Sequence, residues 1–220
     1  MLAAMELAKL VIAEDLGMTD PQQLIIISQP DFHIDQHLRP LRAKDNAILL
    51  YSPAENIKLL TKALANVNKQ QSSSNNPELE AEKQGIKDLL ATVRSKAKTE
   101  EKTASVIDNE LTEAGMNVIR APGAIANNEG KLIVNFLNAI VTEACDSSSL
   151  EMITMSCKFP SVMHEFKEEM RKQHDINTEF VADLVVKASL PNKPSGSYHA
   201  SEIAAEMEGG LDCMTEHKQA

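Results

Sequence analysis

The sequence predicts a mixed α/β fold in which the order strand, strand, helix, strand occurs twice. Three observations predict it. Short, continuous apolar runs such as Ala47 to Tyr51 (AILLY) have the length and composition of buried strands. Longer stretches, of which Pro160 to His174 is one, space apolar residues at a helical period. Glycine, proline and serine sit between these runs and punctuate them.

Leu2 to Leu16 places Leu2, Met5, Leu7, Leu10, Val11 and Ala13 at helical spacing, and Gly17 stops the helix as a C-terminal cap does. Leu24 to Ser28 (LIIIS) reads as a first buried strand and Ala47 to Tyr51 as a second. Ser52-Pro53 then starts a helix over Ala54 to Val67, with Pro53 suited to the first turn. Residues 69–77 (KQQSSSNNP) have the composition of a flexible surface loop within one domain spanning residues 1–220. Two charged helices follow, Glu78 to Ser95 and Glu100 to Ala114, the second closed by Gly115. Asn117 to Ala121 is the strand that completes the first unit, and Pro122-Gly123 is its turn.

The second unit runs through strand-like Lys131 to Val141, a strand at Met152 to Cys157, the helix Pro160 to His174, and a strand within Thr178 to Val186. The two units share an order of elements and no obvious sequence. A Pro-, Gly- and Ser-rich tail, Pro191 to Ser197, leads to a short helix at Ala200 to Met207 and then to Gly209-Gly210-Leu211-Asp212-Cys213.

Composition excludes several function classes. The formal net charge of -10 opposes a nucleic-acid partner, which calls for basic patches. With aromatics at 3% and no Trp, stacking of single-stranded nucleic acid is unsupported as well. Glu6, Lys9, Glu14 and Asp15 interrupt the most apolar helix, so neither a membrane span nor a secretory signal is expected. Three unevenly spaced cysteines, Cys145, Cys157 and Cys213, imply no disulfide framework and no zinc knuckle, which leaves a reducing cytoplasm as the expected compartment.

Two places can carry chemistry. Cys213 follows a double glycine, where the backbone can approach a ligand closely, and a thiolate is a strong nucleophile once a nearby cation lowers its pKa. Cys145 and Cys157 read as small buried residues. In Phe32-His33-Ile34-Asp35-Gln36-His37, His33 and Asp35 stand two apart; on an extended segment they point the same way and present an imidazole beside a carboxylate. His33 and His37 also have the spacing of a helical metal pair, but the usual glutamate is missing and Pro30 and Pro40 flank the segment, so no metal is expected. No acidic loop has calcium-ligand spacing, and no cofactor is implied.

Taken in order, these segments resemble the guanidine-modifying superfamily, closest to its protein-arginine deiminases and agmatine deiminases. The stretch "FHIDQHLRPLRAKDNAILLYSP" is similar to their His-x-Asp segment, and "GGLDCMT" resembles their nucleophile loop. "VNFLNAIV" at Val134 to Val141 resembles the Asn-bearing strand of the protein-arginine deiminases, and "FKEEMRKQHDINTEFVAD" their last helix and strand before the nucleophile. The resemblance implies an α/β propeller of strand-strand-helix-strand blades, here partial, with the N-terminal blades missing. It implies that Cys213 attacks a guanidinium carbon, that His33 shuttles the proton, and that Asp35 grips two guanidinium nitrogens. Deimination of arginine, peptidyl-arginine or agmatine is the expected reaction, with amidino transfer or an inactive homologue with a binding role as alternatives. Open strand edges would favour a homo-oligomer or pairing with a missing N-terminal half. Two departures stand out: no upstream acidic segment precedes His33, and Asp212 stands where the family usually has His, which would raise the thiol pKa.

Overall fold

The structure, a computed structural model, describes residues 2–28, 34–41, 45–72, 76–127, 129–143, 149–181, 185–188 and 196–199. It is mixed α/β, with two three-stranded sheets and two strand pairs, none of them closed.

The first unit is built from β1 (Leu38–Pro40), β2 (Ala47–Tyr51), α2 (Pro53–Gln71), α3 (Pro77–Glu113) and β3 (Asn117–Ala121). β1 and β2 are antiparallel, with Leu38 opposite Leu50, whereas β2 and β3 are parallel, with Ala47 opposite Asn117. A parallel return needs a crossover, and the helical pair α2–α3 supplies it. Every residue of β2 is buried. The reason is coverage of both faces: Leu49 and Tyr51 join the main core with α2 and the first half of α3, while Ile48 and Leu50 pack with Ile107 and Leu111 from its second half.

The second unit repeats that topology with β6 (Ala139–Glu143), β7 (Leu150–Thr154), α4 (Pro160–His174) and β8 (Ile176–Phe180). Again the first pair is antiparallel and the second parallel. Phe136, Phe166 and Phe180 cluster beneath α4, with the Phe136 and Phe166 ring centroids 4.2 Å apart. Between the units lies the antiparallel pair β4 (Ala124–Ala126) and β5 (Leu132–Asn135). Beyond the second unit, β9 (Val185–Ala188) pairs with β10 (Gly196–His199).

Several expectations change. Leu24 to Ser28 is not a buried strand: Ile25 and Ile26 are exposed, at 37% and 45%, and the run has no ladder partner among the described residues. It is tied to α3 instead, where the Ser28 amide and hydroxyl donate to the Glu110 carboxylate at 2.6 and 2.7 Å and Ile27 packs on the Ile107 cluster. The first strand of the unit is therefore Leu38–Pro40. The two charged helices are one, α3, of 37 residues. No Gly or Pro interrupts Ser95 to Thr99, and the Thr92 and Ser95 hydroxyls donate back to the Asp88 and Thr92 carbonyls and so stay within the helix. Of the loop expected over 69–77, residues 69–71 stay helical at the end of α2 and Pro77 opens α3.

The long strand expected over Lys131 to Val141 is split into β5 and β6 at buried Phe136 to Asn138, where the chain passes from one sheet to the next. β7 ends at Thr154 rather than Cys157, and β10 takes up Gly196 and Ser197, the last two residues of the expected Pro-, Gly- and Ser-rich tail. The short helix expected over Ala200 to Met207 lies outside the described residues.

Glycine acts as foreseen at two helix ends. At the end of α1 (Leu2–Asp15), Gly17 takes φ +67°, its amide donates to Glu14 O, and the Met18 amide donates to Ala13 O. Gly115, at φ +81°, closes α3 through the same pair of bonds to Thr112 and Leu111. α1 itself leaves Leu7, Leu10, Val11 and Ile12 exposed, as is Leu16 just after it.

Candidate functional site

Of the three residues singled out for catalysis, His33 and Cys213 lie outside the described residues, as does Cys145. Asp35 falls in a short 3-10 turn, Ile34–Gln36, which corrects the extended conformation expected there. The turn leads straight into β1. The His37 amide donates to Ile34 O at 2.9 Å, and the Tyr51 amide to His37 O at 2.7 Å, so the end of β2 fixes where the turn sits.

The two units meet next to this segment. Arg39, in β1, donates from Nε to the Leu137 carbonyl at 3.0 Å, in the bend between β5 and β6. The bend is held from the other side by the Thr154 hydroxyl, which donates to Phe136 O at 2.7 Å. Within the strand resembling the Asn-bearing one, Asn135 and Asn138 are both buried. Asn138 is engaged in further interactions, whereas neither polar atom of the Asn135 carboxamide has a hydrogen-bond partner among the described residues. Buried amides are seldom left so.

Sequence reasoning missed a second polar group beside the Asp35 turn. The Tyr51 hydroxyl donates to the Glu100 carboxylate, in mid-α3. Burial pushes the Tyr51 phenol well above its ordinary value of 10.0, and the bonded Glu100 adds to the shift, so the hydroxyl stays a donor. The His37 ring stands edge-on to Tyr51 at 5.7 Å. Arg120 is anchored nearby, with Nε 2.9 Å from Asp108 and an Nη 3.7 Å from Glu101. The only sequence signal was the position of Tyr51, one of two tyrosines in the chain, at the end of a fully apolar strand. Tyr51, Glu100 and His37 line a cavity of about 240 Å³ that also touches Gln36. A larger groove of about 960 Å³ lies away from the Asp35 turn, between the α2–α3 pair and the start of α4. There the Glu82 carboxylate accepts from the Ser161 amide at 2.8 Å and caps α4 from outside, in place of the missing cap at Phe159.

Cys157 follows β7 in a loop rather than lying within the strand, and burial pushes its thiol up to about 12. Among the described residues, no group of three or more His, Cys, Asp or Glu side chains is placed to hold a metal ion, and no helix is long and apolar enough to cross a membrane. No family model matches the chain, and neither a curated protein nor a solved structure was found to match it.

Proposed function

We propose that this chain is a guanidine-modifying hydrolase of the deiminase type, with Cys213 as nucleophile, His33 as proton shuttle and Asp35 as the guanidinium clamp. The observation that carries the reading is the repeated unit: two three-stranded sheets, each antiparallel then parallel, with a helical crossover between the parallel strands. That order of elements agrees with the strand-strand-helix-strand unit that the resemblance of the His-x-Asp, Asn-bearing and nucleophile segments implies. The Arg39 contact with Leu137 adds support, because it joins the strand following Asp35 to the bend beside Asn135 and Asn138.

In this reading the Cys213 thiolate attacks the guanidinium carbon, and His33 protonates the amine that departs as ammonia. A covalent thiouronium forms. Water deprotonated by His33 then adds to the same carbon, the C–S bond breaks, and a ureido product such as citrulline leaves. Asp35 holds two N–H groups by charge-assisted bonds, which keeps positive charge on the carbon under attack.

The test is ammonia and ureido-product release by the purified chain with arginine, agmatine and an arginyl peptide. The expected result is turnover of one of them that falls at least about 1,000-fold in Cys213→Ser. Asp212, beside the nucleophile, favours a second reading, a non-catalytic homologue with a binding role. Absence of turnover in the intact chain with all three substrates selects it.

A further inference from the structure

The cavity beside the Asp35 turn differs in its chemistry from a guanidinium clamp. α3 serves one face of the first sheet with Leu89, Leu90 and Val93 and the opposite face with Ile107 and Leu111. Residues 99–104 lie where the helix changes from one face to the other, and the cavity of about 240 Å³ lies against them. It is smaller than the roughly 300–1,000 Å³ of pockets for drug-sized molecules, so it suits a small metabolite.

One side of it is apolar, formed by residues such as Leu50, Ile107 and Leu132. The polar groups of the lining include Glu100, Thr99 and Thr103 of α3, with Thr99 and Thr103 one turn apart on the same helix face as Ile107. Thr99 is exposed and marks the side open to solvent. Glu100 is the one carboxylate among the described lining residues, and Tyr51, itself 6% exposed, holds one of its oxygens, Oε2. Since burial keeps that phenol protonated, Tyr51 remains a fixed donor that orients the carboxylate.

We propose that this cavity binds a short-chain alkylammonium ion, its stem on the apolar wall and its head on Glu100 Oε1 with the Thr99 and Thr103 hydroxyls. The choice of ammonium follows from the Tyr51 bond. A guanidinium fork wants both carboxylate oxygens in one plane, and Tyr51 already occupies one. An ammonium is a point charge with three rotatable donors, which matches one carboxylate oxygen and two hydroxyls. The site stands independently of Cys213, His33 and Asp35 and of any turnover.

The experiment is an NMR titration of the full-length chain with n-butylammonium, n-butylguanidinium and n-butanol. The expected result is saturable shifts at the amides of His37, Thr103 and Ala104, with n-butylammonium binding at least about fivefold more tightly than the other two. Glu100→Gln should weaken it by about tenfold or more, the scale of one charge-assisted hydrogen bond. Should Glu100→Gln not fold, the isosteric Thr103→Val decides, with an expected loss of about threefold. Preference for the guanidinium, unchanged affinity in the folded variant, or no saturable shift overturns the proposal. Loss of binding in Asp35→Asn but not in Glu100→Gln also overturns it, by moving the amine to the other site while leaving the hydrolase reading intact.

Discussion

At the scale of single residues, two side chains show how environment decides behaviour. Cys157 has the same thiol as Cys213 but sits in the loop before α4, with Sγ 3.7 Å from the Phe159 carbonyl. With its pKa pushed up to about 12 by burial, on the order of one molecule in ten thousand carries the thiolate at pH 8. Iodoacetamide at pH 8 should therefore leave Cys157 unmodified in the native chain and alkylate it in urea, as read by mass spectrometry of the peptides. Gly85 makes the opposite point, since a helix interior normally disfavours glycine by about 1 kcal/mol relative to alanine. Here a Cβ would stand 2.5 and 2.9 Å from ring atoms of Phe159, which is itself 3% exposed. Gly85→Ala should thus destabilise by about 1–3 kcal/mol despite the gain in propensity, visible as a melting temperature lowered by several degrees. A raised melting temperature would mean that the ring can swing away.

At the scale of elements, the junction of α2 and α4 holds the two units together. Glu169 on α4 accepts from Lys58 at 2.7 Å and from Lys62 at 2.6 Å, both on α2, and Glu165 accepts from Asn66 one turn away. Burial pushes the Glu169 carboxyl up, but the hydrogen bonds from Lys58 and Lys62 together outweigh it and hold it below its usual 4.5. The side chain of Glu169 is 10% exposed while both lysines are 45% exposed, so the pair sits between the buried and surface cases. Glu169→Gln should cost about 1–2 kcal/mol, read by urea denaturation at pH 7. Burial also pushes His174, at the end of the same helix, below its ordinary 6.5. Both depressed values stabilise the fold above the unfolded pKa and cease to do so as acid is added. Stability measured against pH should begin to fall below 6.5, as His174 is forced to charge, and fall further below 4.5. His174→Gln should remove part of the first decline and Glu169→Gln part of the second. Identical pH profiles for both variants and the unmodified chain would refute the assignment.

At the scale of the whole molecule, one continuous core runs from Leu49 and Tyr51 in the first sheet to Met152 and Ile176 in the second, so the units are packed on each other. Much of this was legible in the residues. AILLY reads as a strand and Pro160 to His174 as an amphipathic helix, as the structure has them, and the glycines after α1 and α3 mark their ends. Local pattern failed wherever the outcome depended on a distant partner. LIIIS had the composition of a strand, but a strand exists only if another edge offers a ladder, and Glu110 and the Ile107 cluster took the segment instead. Of the candidate site, the sequence picked out His33, Asp35 and Cys213 by type and order, while the turn that carries Asp35 was set by hydrogen bonds from the chain around it.

The sequence by itself thus determined the helices with clear stripes and caps, the buried strands, and the doubled order of elements, because those depend on neighbours a few residues away. Only the tertiary structure decided that α3 is one helix serving both faces of a sheet, that Arg39 reaches Leu137, and that Tyr51 meets Glu100 beside the Asp35 turn. Those contacts join residues 49 and 98 positions apart, and no periodicity along a chain encodes which distant groups will share a cavity.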